Sequence, residues 1–214
     1  KRQTLFSGSA TQWTITHNET TKTIDIEAST AVEDNPLYYH DVLTVGDKKI
    51  GYLVYNHFTP GPKGVEDRTY DEEMKTIFAD FQSRGVNEFV LDLRYNGGGY
   101  EHSANMLAGL LIPEESKDNV FGIFSNNKGK VTHTRYFNTE TKGTAGYLKL
   151  NSNRIYILTS ENTASSSELV ISSLEPFMNI VLIGQLTEGK NVGMQEYSDD
   201  KYEWAYWPIT TRVT

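Results

Sequence analysis

With 214 residues, 37% of them hydrophobic, the chain can bury a sizeable core, either as one large domain or as a domain with a shorter piece attached. A formal charge of −8 and the lack of any polybasic run argue against nucleic acid or an anionic membrane surface as partner. No apolar run approaches the roughly 18 residues that would span a bilayer. The absence of cysteine excludes disulfides and thiolate metal sites. Residues 13–16 and 23–27 alternate apolar and polar side chains around Asn18-Glu19-Thr20, which is the pattern of a hairpin, and residues 32–39, with Pro36, read as a linker. The core then opens with a strand at 42–45, a turn at Gly46-Asp47 and a second strand at 49–55. A helix follows from Asp71, read as its N-cap. Its stripe of Met74, Ile77, Phe78 and Phe81 belongs to the core, and Gly85 ends it.

Residues 89–93 form a buried strand that runs into Gly97-Gly98-Gly99, and residues 101–111 have helical periodicity. Asp92 and Arg94, set in an otherwise apolar run, require a partner, and a salt bridge bracing the glycine loop supplies one. Segments 121–124 and 131–137 form a second hairpin around residues 126–129, a flap or an edge pair, and residues 139–146 are polar. Residues 155–158 are a buried strand, 169–177 repeat at helical spacing, and 180–184 are strand again. Residues 202–207 alternate to give an aromatic face. Core packing is the first reading of that face, and a pocket for apolar side chains the second.

Chemistry concentrates at three loops. Ser165, Ser166 and Ser167 stand where a strand turns into a helix, near unpaired N–H groups and the positive end of the helix dipole, a setting that suits a nucleophile beside a developing oxyanion. Simple helix capping, with Ser165 and Glu168 as a capping box, accounts for the same residues. The strand-helix-strand unit returns Lys190 to the end of the sheet where Ser165 lies. A lysine serves as general base only if its pKa falls from about 10.4 to roughly 7–8, at a cost on the order of 4 kcal/mol; otherwise it is a solvated surface charge. The three glycines expose backbone N–H groups and lack the phosphate-loop pattern, so an oxyanion hole is their better use, with a flexible turn as the plain alternative. Of five histidines, His57 ends a strand that can face the active-site edge, and His102 adjoins the glycine loop, where it can meet substrate.

Asp-Leu-Arg-Tyr-Asn-Gly-Gly-Gly at 92–99, Thr-Ala-Ser-Ser-Ser-Glu at 163–168 and Gly189-Lys190, in that order, resemble the C-terminal processing peptidases, also called tail-specific proteases. The resemblance extends over about residues 48–193. It implies that Ser165 is the nucleophile, that Lys190 is its general base, and that the N–H groups of Gly98 and Ser166 form the oxyanion hole. It also implies a mixed α/β (α+β) fold, the spiral of ββα units shared with the Clp protease and crotonase families, here with an extra N-terminal hairpin. Members usually carry a PDZ-like gating domain ahead of the core. Residues 1–40 are therefore expected to be its trailing strands, or another N-terminal region, plus linker, and 41–214 a catalytic domain trimmed at its C-terminal end.

Two positions depart from the family pattern. Many members place a glutamine four residues after the lysine to orient it; here Met194 stands there and Gln195 follows. Either a bulge restores Gln195 or something else orients Lys190. Gly97 replaces the usual proline, which the loop should accept. The implied activity is a serine endopeptidase that acts near the C-termini of protein or peptide substrates through an acyl-enzyme, without metal or cofactor. By family alone, its place is extracytoplasmic, in the periplasm or cell envelope. A catalytically inactive module that binds peptides or apolar ligands is the alternative. An acyl-CoA enzyme is suggested by fold analogy only and has no use for the Ser-Lys spacing.

Overall fold

The computed structural model describes residues 12–25, 33–141, 144, 147–199, 201 and 204–214. The chain divides into two compact units, Lys1–Asp34 and Asn35–Thr214. In the first, β1 (Gln12–His17) and β2 (Thr20–Asp25) pair antiparallel. Asn18 and Glu19 both have positive φ, 46° and 63°, as a two-residue turn that matches strand twist requires. The expected continuation of β2 through Ile26 and Glu27 lies outside the described residues.

In the second unit, β3 (Leu37–Val45) and β4 (Lys48–Tyr55) are antiparallel, so part of the expected linker at 32–39 is strand. Next come α1 (Thr69–Ser83), β5 (Glu88–Asp92) and α2 (Glu101–Leu111). Then follow β6 (Val120–Asn126), β7 (Val131–Tyr136) and the short α3 (Asn138–Thr141). After β8 (Arg154–Thr159), α4 (Ser166–Leu174) and β9 (Asn179–Gly184), the chain ends in β10 (Val192–Met194), β11 (Tyr197–Asp199), β12 (Trp204–Tyr206) and β13 (Ile209–Val213). The principal sheet has the order β3-β4-β5-β8-β9, parallel from β4 onward. A second, antiparallel sheet has the order β10-β13-β6-β7, and β11 and β12 pair separately. This is the expected mixed α/β fold, with strand-strand-helix units at β3-β4-α1 and β6-β7-α3.

Periodicity decides which faces meet. Leu53, Phe89, Leu91, Ile155 and Ile157 alternate inward from the parallel strands, while Met74, Ile77, Phe78 and Phe81 supply the facing stripe of α1. The rings of Phe78, Phe81 and Phe89 lie 5.5–5.8 Å apart, and each such buried ring contributes roughly 2–3 kcal/mol. The N-cap of α1 is Arg68 rather than Asp71. Asp71 sits inside the first turn, fully buried and paired with Arg68 at 2.9 Å, because its short side chain finds a cation there. Burial pushes its carboxyl up to about 6 against the pull of Arg68. Gly85, with φ +72°, ends the helix as expected. No helix among the described residues is long and apolar enough to cross a membrane.

Parallel pairing positions the functional loops. Since β5, β8 and β9 run side by side in one direction, the segments that leave their C-terminal ends emerge together at one edge of the sheet.

Candidate active site

The glycine loop is shaped by two side chains at its root. Asp92 accepts hydrogen bonds from the Arg94 guanidinium (2.6 and 2.9 Å), the Arg94 N–H (3.1 Å) and the Tyr52 hydroxyl (2.8 Å). Burial alone would raise its carboxyl, but the bonds from Arg94 and Tyr52 outweigh burial and hold it below the ordinary carboxylate range. The expected brace is therefore present. Asn96, with no exposed surface, does more than the sequence suggests. Its Oδ1 accepts from the Gly98 N–H and its Nδ2 donates to the Tyr55 carbonyl, both at 2.9 Å. Its own carbonyl accepts from Ser167 Oγ (2.9 Å) and the Ala164 N–H (3.2 Å). Asn96 thus joins β4, the glycine loop and the serine turn.

Glycine is obligatory at 98 and 99. Gly98 has φ +103°, and a Cβ there would lie 2.7 Å from the Ser165 Cβ; at Gly99, φ +138°, it would lie 2.1 Å from the Phe58 carbonyl oxygen. The loop backbone can approach the serine only because side chains are missing.

The serine turn is stitched to the same loop. Thr163 Oγ1 donates to the Leu93 carbonyl at 2.8 Å, and the Ser160 hydroxyl donates to the Arg94 carbonyl. Ser165 then adopts φ +58° and ψ −116°, a conformation that side-chain-bearing residues rarely adopt and that costs on the order of 1–3 kcal/mol. Its N–H donates to Glu168 Oε2 at 2.8 Å, the carboxylate arm of a capping box. Ser166 opens α4, and its hydroxyl donates to the Gly99 carbonyl at 2.7 Å.

Glu168 also reaches the third loop. Oε1 accepts from the Gly189 N–H at 2.6 Å, and Oε2 from the Lys190 N–H at 2.8 Å. Gly189, with φ +85°, permits the tight turn that aims both donors at one carboxylate. Burial pushes the Glu168 carboxyl up, but bonds from Thr187, Gly189, Lys190 and Ser165 prevail and hold it low, so it is ionised at neutral pH. One carboxylate therefore fixes the backbone of both Ser165 and Lys190. Sequence reasoning saw Glu168 only as a cap; its bond to the Gly-Lys turn joins residues 21 and 22 positions apart, which no local pattern shows.

Ser165, Ser166, Glu168, Lys190, Gly99 and His102 line one cleft of about 1050 Å³, walled on its apolar side by Phe121, Leu169 and Phe177. His57 is outside that lining. His102 stacks on Tyr100 at 5.4 Å, and burial pushes its imidazole down, which favours the neutral ring. Met194, half exposed, faces the cleft, whereas Gln195 donates its N–H to the Pro208 carbonyl and its Oε1 accepts from the Tyr197 hydroxyl. The strand pairing does shift between Gly193 and Met194, but the extra residue, Thr210, is on β13, so the alternation of β10 is not reset. The Gly98 N–H, expected to be an oxyanion donor, donates to Asn96 Oδ1 at 2.9 Å. Among the described residues, no group of three or more His, Asp or Glu is placed to hold a metal ion.

A serine on a strained strand-to-helix turn, tied to a lysine loop and overlaid by a glycine loop, is the layout of a serine hydrolase. Peptidase family S41 matches residues 49–206, and the chain belongs to that family. It is 26% identical over 155 residues to the carboxy-terminal processing protease CtpA of Bacillus subtilis (strain 168), covering 72% of this chain and 29% of that protein. It is also 26% identical over 175 residues to a carboxyl-terminal-processing protease of Picosynechococcus, covering 81% and 36%. Among solved structures, a putative S41 protease from Bacteroides fragilis superposes with a TM-score of 0.80 at 30% identity, covering 94% of this chain and 53% of that one. The photosystem II D1 C-terminal processing protease shares the fold, with a TM-score of 0.62 at 17% identity over 90% of this chain and 46% of that one. The chain spans about a third of the length of these curated relatives.

Proposed function

We propose that the chain carries the catalytic domain of a serine endopeptidase in which Ser165 and Lys190 form the working dyad. The observation that supports this most is the Glu168 carboxylate, which holds the backbone of both residues at one cleft. In this reading Ser165 Oγ attacks the scissile carbonyl while its proton passes to Lys190 Nζ. The tetrahedral intermediate then collapses, the same proton goes to the leaving amine, and an acyl-enzyme remains. Water repeats the cycle, with Lys190 as base, and releases the acid.

For the oxyanion, the first N–H of α4, on Ser166, is one donor, since N–H groups in the first turn of a helix have no partner within it. Gly99 replaces Gly98 as the second. Phe58 donates to the Gly98 carbonyl and accepts from the Tyr100 N–H, so the N–H and carbonyl of Gly99 point to the other side, where the carbonyl meets Ser166 Oγ. Lys190 is oriented through its own backbone by Glu168, in place of a glutamine. The names of the curated relatives support protein substrates cut near their C-termini, and family resemblance supports an extracytoplasmic location.

Met194 facing the cleft favours a second reading, an inactive peptide-binding module. A serine-directed fluorophosphonate distinguishes the two when the parent chain, Ser165→Ala and Lys190→Ala are compared by mass mapping. Labelling at Ser165 that both substitutions abolish is expected. No labelling across a broad pH range would favour the binding module, and labelling that survives Lys190→Ala would discard the dyad.

A further inference from the structure

The aromatic strand near the C-terminus, first read as core, is not core. Tyr202 and Glu203 lie outside the described residues. Tyr197 pairs with Tyr206 and Asp199 with Trp204 across β11 and β12, so the three aromatic side chains share one face of a two-stranded ribbon. The rings of Tyr197 and Tyr206 stack at 5.5 Å, and Trp204 lies 5.4 Å from Tyr206. Tyr197, Trp204 and Tyr206 nevertheless remain 43%, 46% and 50% exposed. Aromatic rings grouped on an open face mark an interaction surface, since water gains by their burial.

Its position says what would cover it. The ribbon is entered through Met194 and left through Trp207, both of which line the active-site cleft. The Gln195 N–H donates to the Pro208 carbonyl at 3.3 Å and ties the entering strand to the leaving one. The ribbon therefore continues the wall of the cleft outward. Glu196 is exposed where the chain enters the ribbon, and the chain carries a net charge of −8, so cations are favoured there over anions. Tyrosine and tryptophan faces accept aliphatic stems and cationic heads alike.

We propose that the β11–β12 ribbon docks an extended stretch of the polypeptide substrate, one that carries apolar and basic side chains and lies outside the scissile bond. This rests on the peptidase reading and adds a substrate class to it. The side chains that enter the cleft set where the chain is cut; the ribbon sets which chains stay bound long enough to be cut.

The test uses the full chain with Ser165→Ala to prevent turnover and two fluorescein-labelled twelve-residue peptides, one alternating Leu and Lys, the other alternating Ser and Glu. The Leu/Lys peptide should bind at least ten-fold tighter. Trp204→Ala with Tyr206→Ala should weaken it by about ten-fold or more, as loss of aromatic anchors does at other interfaces. In the chain without those two substitutions, the Leu/Lys peptide should shield tryptophan fluorescence from acrylamide, a readout that needs no variant to fold. Equal affinity for the two peptides, undiminished binding in the double variant or absence of shielding would each overturn the proposal. So would a concentration-dependent dimer that the double variant abolishes, since a second copy would then be the occupant. Fluorophosphonate labelling of the parent chain decides the peptidase reading separately, so failure of one is distinguishable from failure of the other.

Discussion

The serine turn and the aromatic ribbon are both short loop-and-strand segments, yet they are built in opposite ways. Around Ser165, every nearby loop is bonded to another: Asn96 binds β4 and the glycine loop, Thr163 binds the end of β5, and Glu168 binds the lysine loop. The ribbon keeps its aromatic face half exposed. A residue held at φ +58° survives only where its surroundings over-determine it, which is what the bonded loops supply. A surface that must take up varied polypeptides gains from the reverse arrangement, large apolar faces with few fixed polar demands.

That contrast can be broken experimentally, beginning where the effect should be largest. Gly98→Ala places a methyl group against the Ser165 Cβ at a positive φ, so it should reduce fluorophosphonate labelling at least ~10³-fold and destabilise by roughly 3 kcal/mol. Labelling kinetics and urea unfolding would check both; near-normal labelling would mean that the two loops are not tightly apposed. Asn96→Ala leaves the Gly98 N–H and Tyr55 carbonyl without their buried partner. It should cost about 3 kcal/mol, a fall in Tm of roughly 6–12 °C by calorimetry.

Glu168→Gln keeps the shape but sets an amide against N–H donors. If it positions Ser165 and Lys190, labelling should slow ~10²-fold while the far-ultraviolet circular dichroism stays unchanged. The same substitution tests a pH effect. The folded carboxyl is held below its unfolded value of about 4.3, so its stabilisation is complete above that pH and is lost as pH falls toward the lower folded value. Acid unfolding curves of Glu168→Gln should lack that portion of the loss. Smallest of all, Trp204→Ala should shift stability by less than about 0.5 kcal/mol, or ~1–2 °C in Tm. A large loss there would show that the ribbon is part of the folded core.

How legible each part was follows from the range of the interactions. The stripe of α1 and the alternation of the parallel strands depend on neighbours a few residues away, so they are legible in the sequence. Which way the Gly99 backbone points depends on a bridge to Phe58, some forty residues distant in sequence. Alternation in residues 202–207 has the same period whether the ring face meets a core or water, so pattern alone favoured burial and the exposure of Trp204 and Tyr206 corrects it.

By itself, then, the sequence determined the kinds of element, the positions of Ser165 and Lys190 at strand ends, and the family resemblance that ties them together. Only the tertiary structure decided that Glu168 spans both loops, that the Gly98 N–H is already used, that Met194 rather than Gln195 faces the cleft, and that an aromatic ribbon extends the cleft wall. Those four depend on where hydrogen-bond donors point after distant segments pack, and direction is a property of the assembled backbone that residue type does not carry.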